Sequence, residues 1–194
     1  MITLAGYANS YAQKENVASR FFFPGMIGIG IPSGDDQTSM HTGFALNTAL
    51  EYRPVYTNSY FYRFNFDNIS NQYHAVDVAV PTNVKYGKLN TDFFLLGAGY
   101  RRTVKFLKLY FLIQPGYNIS NYEVVGPLNS AYSINNISRH YFSEKLSFGA
   151  EYYIVPHFAL VFEPSYYHLF SVNNAYIINP SYVSINFGFT TTLF

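Results

Sequence analysis

Two short stretches of this chain bring a histidine, a serine and a carboxylate close together: His140, Ser143 and Glu144, and Glu163, Ser165 and His168. These are the residue types of a hydrolase, in which a His base takes the proton of a serine nucleophile and a carboxylate orients the His. If the segments are strands, the spacing defeats the chemistry. Successive strand side chains point to opposite faces, so His140 and Ser143 diverge, as do Ser165 and His168. His41, His74 and His157 fall in expected turns or loops without ligand spacing. Asp35-Asp36 follows Pro32-Ser33-Gly34 and reads as an acidic turn. No catalytic residue, metal ligand or cofactor is expected, and the chain reads as non-enzymatic. It carries no phosphate-cradling Gly loop, and no basic patch that would suit nucleic acid.

A second set of ionisable residues has a different logic. Glu51, Glu151 and Glu163 are matched by Arg53, Arg63, Arg101, Lys108 and Lys145, each on the polar phase of an alternating segment. Ions that share a low-dielectric interior must pair, because an isolated one costs several kcal/mol. The expectation is a lumen plugged by salt bridges and hydrogen bonds. A gated proton or ion path along the same residues is the alternative.

Composition says what kind of element positions them. In 194 residues only 12% are charged, against an ordinary share of about 25%. Aromatic residues reach 20%, as 20 Tyr and 19 Phe with no Trp. A water-soluble domain needs a charged exterior that this chain cannot supply. Its formal net charge of +1 gives no bulk attraction to an acidic partner, and the absence of Cys excludes disulfides and thiolate metal sites. No run of about 18 apolar residues is present to form a spanning helix.

Eight amphipathic segments with the period of a half-buried strand can be read off, at residues 21–31, 42–53, 59–67, 89–102, 106–119, 141–155, 158–170 and 182–194. Most have the 9–11 residues, or slightly more, of a tilted membrane strand. The connections alternate: residues 54–58, 103–105 and 156–157 are short, whereas 32–41, 68–88, 120–140 and 171–181 are long. Short periplasmic turns and long extracellular loops are the habit of membrane barrels. The long connections 68–88 and 120–140 hold several apolar residues and are expected to extend the barrel as hairpins, or to form a contact surface for a larger assembly.

The apolar phases include Ile27, Ile29 and Ile31; Phe44, Leu46 and Leu50; Phe64 and Phe66; Phe94 and Leu96; and Phe148, Leu160 and Phe162. They are assigned to lipid. Gly28, Gly30, Gly97 and Gly99 join the charged residues on the inner phase, where a narrow barrel has little room. Reversing the faces gives a lipocalin-like soluble barrel, which the sparse charge argues against. Two tyrosine girdles are expected: Tyr52, Tyr56, Tyr60, Tyr100, Tyr152 and Tyr153 at the short-turn end, and Tyr117, Tyr122, Tyr141, Tyr166, Tyr167 and Tyr182 at the other.

Strand count, loop alternation, aromatic bands and a terminal Phe194 resemble the small eight-stranded bacterial outer-membrane proteins of the OmpX, OmpW and OmpA-barrel kind, over residues 21–194. The fold expected is all-β, one eight-stranded antiparallel up-and-down transmembrane β-barrel. The resemblance implies a bacterial outer-membrane location. It also implies a last strand that closes the ring and serves as a sorting signal through Phe187, Phe189, Leu193 and Phe194, although Phe194 falls out of step with the other apolar residues. Residues 1–12 look like the end of a signal peptide, with Ser10-Tyr11-Ala12 before Gln13 as the small-x-small site. Residues 13–20 then form a periplasmic segment. Expected partners are outer-membrane lipid and lipopolysaccharide, the barrel assembly machinery and a larger outer-membrane complex. The expected role is structural, adhesive or accessory. The alternatives are transport of small apolar solutes through a lateral opening, with Pro115 or Pro164 breaking strand pairing, and a lipid A-modifying enzyme.

Overall fold

The computed structural model describes residues 20–33, 40–54, 59–74, 86–128, 131–170 and 181–192. Eight strands make up almost all of them: β1 (Phe21–Ser33), β2 (Gly43–Tyr52), β3 (Tyr60–His74), β4 (Tyr86–Val104), β5 (Leu107–Leu128), β6 (Ala131–Val155), β7 (Phe158–Phe170) and β8 (Ser181–Thr192). Each pairs antiparallel with its successor, and β8 returns to β1 to close the barrel. The closing seam runs without a break from Phe22↔Thr192 to Ser33↔Ser181. Closure leaves no strand edge around the ring, so every spanning segment has a partner on both sides.

Alternation sets the two faces. Ile27, Phe44, Leu46, Phe64, Leu96, Phe148, Leu160 and Phe187 are exposed on the outside. Asn47, Glu51, Arg63, Lys145, Glu151 and Glu163 are buried inside. Such a surface, apolar outside and polar inside, is stable only where hydrocarbon replaces water. No helix among the described residues is long and apolar enough to cross a membrane.

The strands are longer than expected at the long-loop end. Residues 68–74 belong to β3 and residues 86–88 to β4. The connection expected at 120–140 is largely strand, with β5 running to Leu128 and β6 starting at Ala131. Pairing with β4 stops at Leu89↔Tyr122 and pairing with β7 stops at Phe142↔Phe170. Beyond those points β5 and β6 pair only with each other, up to Leu128↔Ala131. The hairpin reading of that connection therefore describes it, as a two-stranded ribbon above the rim.

Three prolines leave marks in the ladder, because each lacks an N–H. Register is interrupted between Phe22↔Glu51 and Gly25↔Thr48 beside Pro24. It is interrupted again between Leu95↔Gly116 and Ala98↔Ile113 beside Pro115, and between Ser147↔Ser165 and Ala150↔Phe162 beside Pro164. On its other side each proline keeps its place: Pro24↔Thr190, Pro115↔Glu144 and Pro164↔Ile185.

The aromatic bands need correction. Tyr60, Tyr100, Tyr152, Tyr117 and Tyr166 do face outward. Tyr167 and Tyr182 are fully buried in the lumen, and Tyr122 packs against the same inner cluster. Tyr153 binds luminal ions instead of lipid, and Tyr141 shares its inward phase. The pleat explains this: of two adjacent tyrosines on a strand, only one can face out. Phe66, Phe94, Phe142 and Phe170 complete the outer band at the long-loop end. Tyr56, Leu193, Phe194, the Asp35-Asp36 turn and the leader expected at residues 1–12 lie outside the described residues.

Candidate functional site

The luminal ions come from five strands, and alternation aims each one at the axis. Glu51 ends β2 with Arg53 just beyond it; Arg63 and Asp67 lie on β3, Arg101 on β4, Lys145 and Glu151 on β6, and Glu163 on β7. At the short-turn end Glu51 binds three arginines: Arg53 Nε at 2.5 Å, Arg63 Nη2 at 2.6 Å and Arg101 Nη2 at 2.8 Å. Glu151 accepts from the same Arg101 nitrogen at 2.7 Å and from Arg53 Nη2 at 3.2 Å. Arg63 Nη1 then reaches Glu163 at 2.6 Å. Glu163 in turn meets Lys145 Nζ at 2.9 Å, and Lys145 donates to Asp67 at 2.9 Å. Four cations and four anions thus form one continuous chain of ion pairs, neutral overall.

Neutral groups fill the remaining valences. The Tyr110 hydroxyl donates to Glu163 at 2.5 Å, Tyr167 to Asp67 at 2.8 Å and Tyr153 to Glu151 at 3.0 Å. Asn65 donates to Asp67 at 2.9 Å, and Gln114 donates to the Asn65 oxygen at 2.9 Å. Aromatic faces cover the guanidiniums, with Phe22 3.3 Å from Arg53 and Phe61 4.5 Å from Arg101. Toward the long-loop end the lumen turns apolar: Ala45, Ile69, Tyr73, Leu89, Phe93, Leu95 and Leu169 pack around Tyr167 and Tyr182. Tyr73 also donates its hydroxyl to the Glu123 carbonyl. Two hollows, of about 440 and 330 Å³, lie at that same end, and no member of the ion chain lines either.

Seven of the eight charged residues expected in the lumen meet in this chain. Lys108, the eighth, stands at the rim opposite Glu151 with Nζ 3.9 Å from the Tyr153 ring centroid. Asp67 was missed, although the expected third strand ended on it and its alternation with Arg63 and Asn65 already placed it on the inner phase. The serine–histidine sets stay apart. Ser143 is buried in the lumen while His140 stacks on Tyr117 outside. Ser165 donates to Glu163 at 3.2 Å, whereas His168 faces Tyr166 and Phe170. No group of three His, Asp or Glu among the described residues is placed to hold a metal ion. The lumen is filled with paired side-chain charges and fixed hydrogen bonds.

No family model matches the sequence, and no curated protein matches it. Solved structures do match the fold. Neisserial surface protein A superposes at a TM-score of 0.63 with 16% identity, over 90% of this chain and 98% of that one. A major outer membrane protein from Thermus thermophilus gives 0.61 with 12% identity, over 89% and 99%. The outer membrane protein OprG from Pseudomonas aeruginosa gives 0.58 with 10% identity, over 88% and 94%.

Proposed function

From a fold that is that of the small eight-stranded outer-membrane barrels, we propose that this chain is an integral outer-membrane protein with a structural, adhesive or accessory role and a lumen plugged by its own ions. The ion chain carries the reading. A conducting pore needs water and unspent charge along its axis, whereas here Arg53, Arg63, Arg101 and Lys145 each lie on a carboxylate and an apolar cluster lies above them. The exterior supports the membrane assignment: eleven residues separate outward Phe94 from outward Val104 along β4, counted inclusively, as a tilted spanning strand requires. Outer-membrane lipid, lipopolysaccharide and the barrel assembly machinery follow as partners of any such barrel. A pull-down from detergent-solubilised membranes would separate a lone barrel from a subunit of a larger complex.

Two measurements test this. The folded protein is expected to migrate differently on a gel before and after boiling, as closed barrels do. In planar bilayers it is expected to give no steady conductance; discrete and reproducible openings would remove the plug.

A second reading is favoured by the interrupted ladders beside Pro115 and Pro164: passage of small apolar solutes through the wall, with the unpaired β4/β5 positions lying next to luminal Leu95. The native chain has no Cys, so a disulfide between Leu96→Cys and Pro115→Cys can lock that seam. Uptake of an apolar dye that is unaffected by oxidation would eliminate this route.

A further inference from the structure

Among the described residues, the exposed charges at the short-turn end of the barrel are all positive. Its described exposed basic residues include Arg20, Arg102 and Lys105, and the acids at that end, Glu51 and Glu151, are buried and already bound by arginines. The same end is apolar where a water-facing turn would be polar. Val104 and Phe106 of the β4–β5 turn are exposed, Phe106 by 64%, and so are Ile154 and Val155 of the β6–β7 turn. The two turns adjoin, with the Phe106 and Tyr152 rings 6.1 Å apart. The β4–β5 turn extends past the last β3–β4 contact, where Arg101 N donates to the Ser59 carbonyl. Lys105 also holds a left-handed backbone, φ 55°, that glycine or asparagine would adopt more easily.

Apolar side chains flanked by cations, with no exposed anion beside them among the described residues, match the boundary between acyl chains and phosphates. Arg102 faces outward between Tyr100 and Val104, so its stem lies along the apolar belt and its guanidinium reaches the headgroup level. We propose that the β4–β5 and β6–β7 turns form a docking surface for anionic phospholipid headgroups of the periplasmic leaflet. Val104, Phe106, Ile154 and Val155 seat the turns in the lipid, and Arg102 and Lys105 bind the phosphates. The proposal rests on the membrane reading above.

The test uses the full chain, folded in neutral detergent with equal amounts of phosphatidylglycerol and phosphatidylcholine, and native mass spectrometry of the bound lipid. Phosphatidylglycerol is expected to dominate. R102Q/K105Q is expected to lose that preference by about fivefold for each charge removed, while R102K/K105R retains it. Gel migration before boiling reports on folding separately. A folded barrel without the preference, or a double Gln variant that keeps it, overturns this proposal and leaves the membrane reading standing. Retention of peptidoglycan fragments in place of phospholipid overturns it as well. A chain that shows no folded form in lipid overturns both.

Discussion

Glu51→Gln is expected to lower the unfolding free energy of the barrel by about 3–5 kcal/mol, the usual result of stripping one partner from a buried ion pair. The substitution keeps the shape and removes one negative charge from the lumen. Arg53, Arg63 and Arg101 all lie within 2.8 Å of the Glu51 carboxylate, and only Glu151 and Glu163 would remain to balance them. The net charge of the chain of ions becomes +1 in a space shielded from water by Phe22 and Phe61. Urea unfolding in lipid vesicles, followed by far-UV circular dichroism, reads the shift. Adding Arg101→Gln is expected to recover part of the loss, since neutrality returns even though two bonds do not. A loss below about 1 kcal/mol, the size typical of exposed ion pairs, would mean that water enters the lumen and the plug reading fails.

The second large effect is steric. Gly149→Ala is expected to cost about 1–3 kcal/mol, the usual range for overpacking. A Cβ there would lie 2.0 Å from Tyr110 Cζ and 2.3 Å from its hydroxyl oxygen. The ring has nowhere to go: its hydroxyl is bound to Glu163 and its edge meets Phe61 at a centroid distance of 5.7 Å. Moving it therefore disturbs the centre of the ion chain as well as the packing. Gly25→Ala is the control, because a Cβ at that position meets nothing within 4 Å, and its effect is expected to stay within about 0.5 kcal/mol. Equal losses at the two glycines would show that backbone entropy, and not the Tyr110 contact, sets the cost.

The architecture was legible because membrane strands obey one constraint throughout, apolar outward and polar inward. That is why the two faces and the inward charges follow from alternation, whereas closure of the ring, seen at Phe187↔Ile27, was implied by the resemblance. The signal fades where the constraint does. On residues 68–74 the outward phase turns polar (Asn68, Ser70, Gln72, His74) while Ile69 and Tyr73 turn inward, so this stretch and residues 120–128 read as loop, although they pair as strand. Asp67 fell at this border. Its partner Lys145 lies 78 residues away on β6, and no local pattern links the two. The adjacent pairs Tyr152-Tyr153 and Tyr166-Tyr167 went wrong for the opposite reason: composition suggested an outer band, and only the pleat decides which member faces lipid. Lys108 keeps the luminal phase but comes one residue after β5 begins, which leaves it at the rim.

A ring folded from an open chain has one joint that no turn ties together, where first and last strands meet. Ordinarily that joint is where such a ring would be expected to part under load. Here the three proline interruptions fall at β1/β2, β4/β5 and β6/β7, while the β1/β8 ladder is unbroken. When the barrel is pulled or heated, its clasp is therefore expected to outlast its links. The chain ends stay fastened while tearing starts at a seam that a covalent turn already holds at one end, and a tear of that kind can zip shut again.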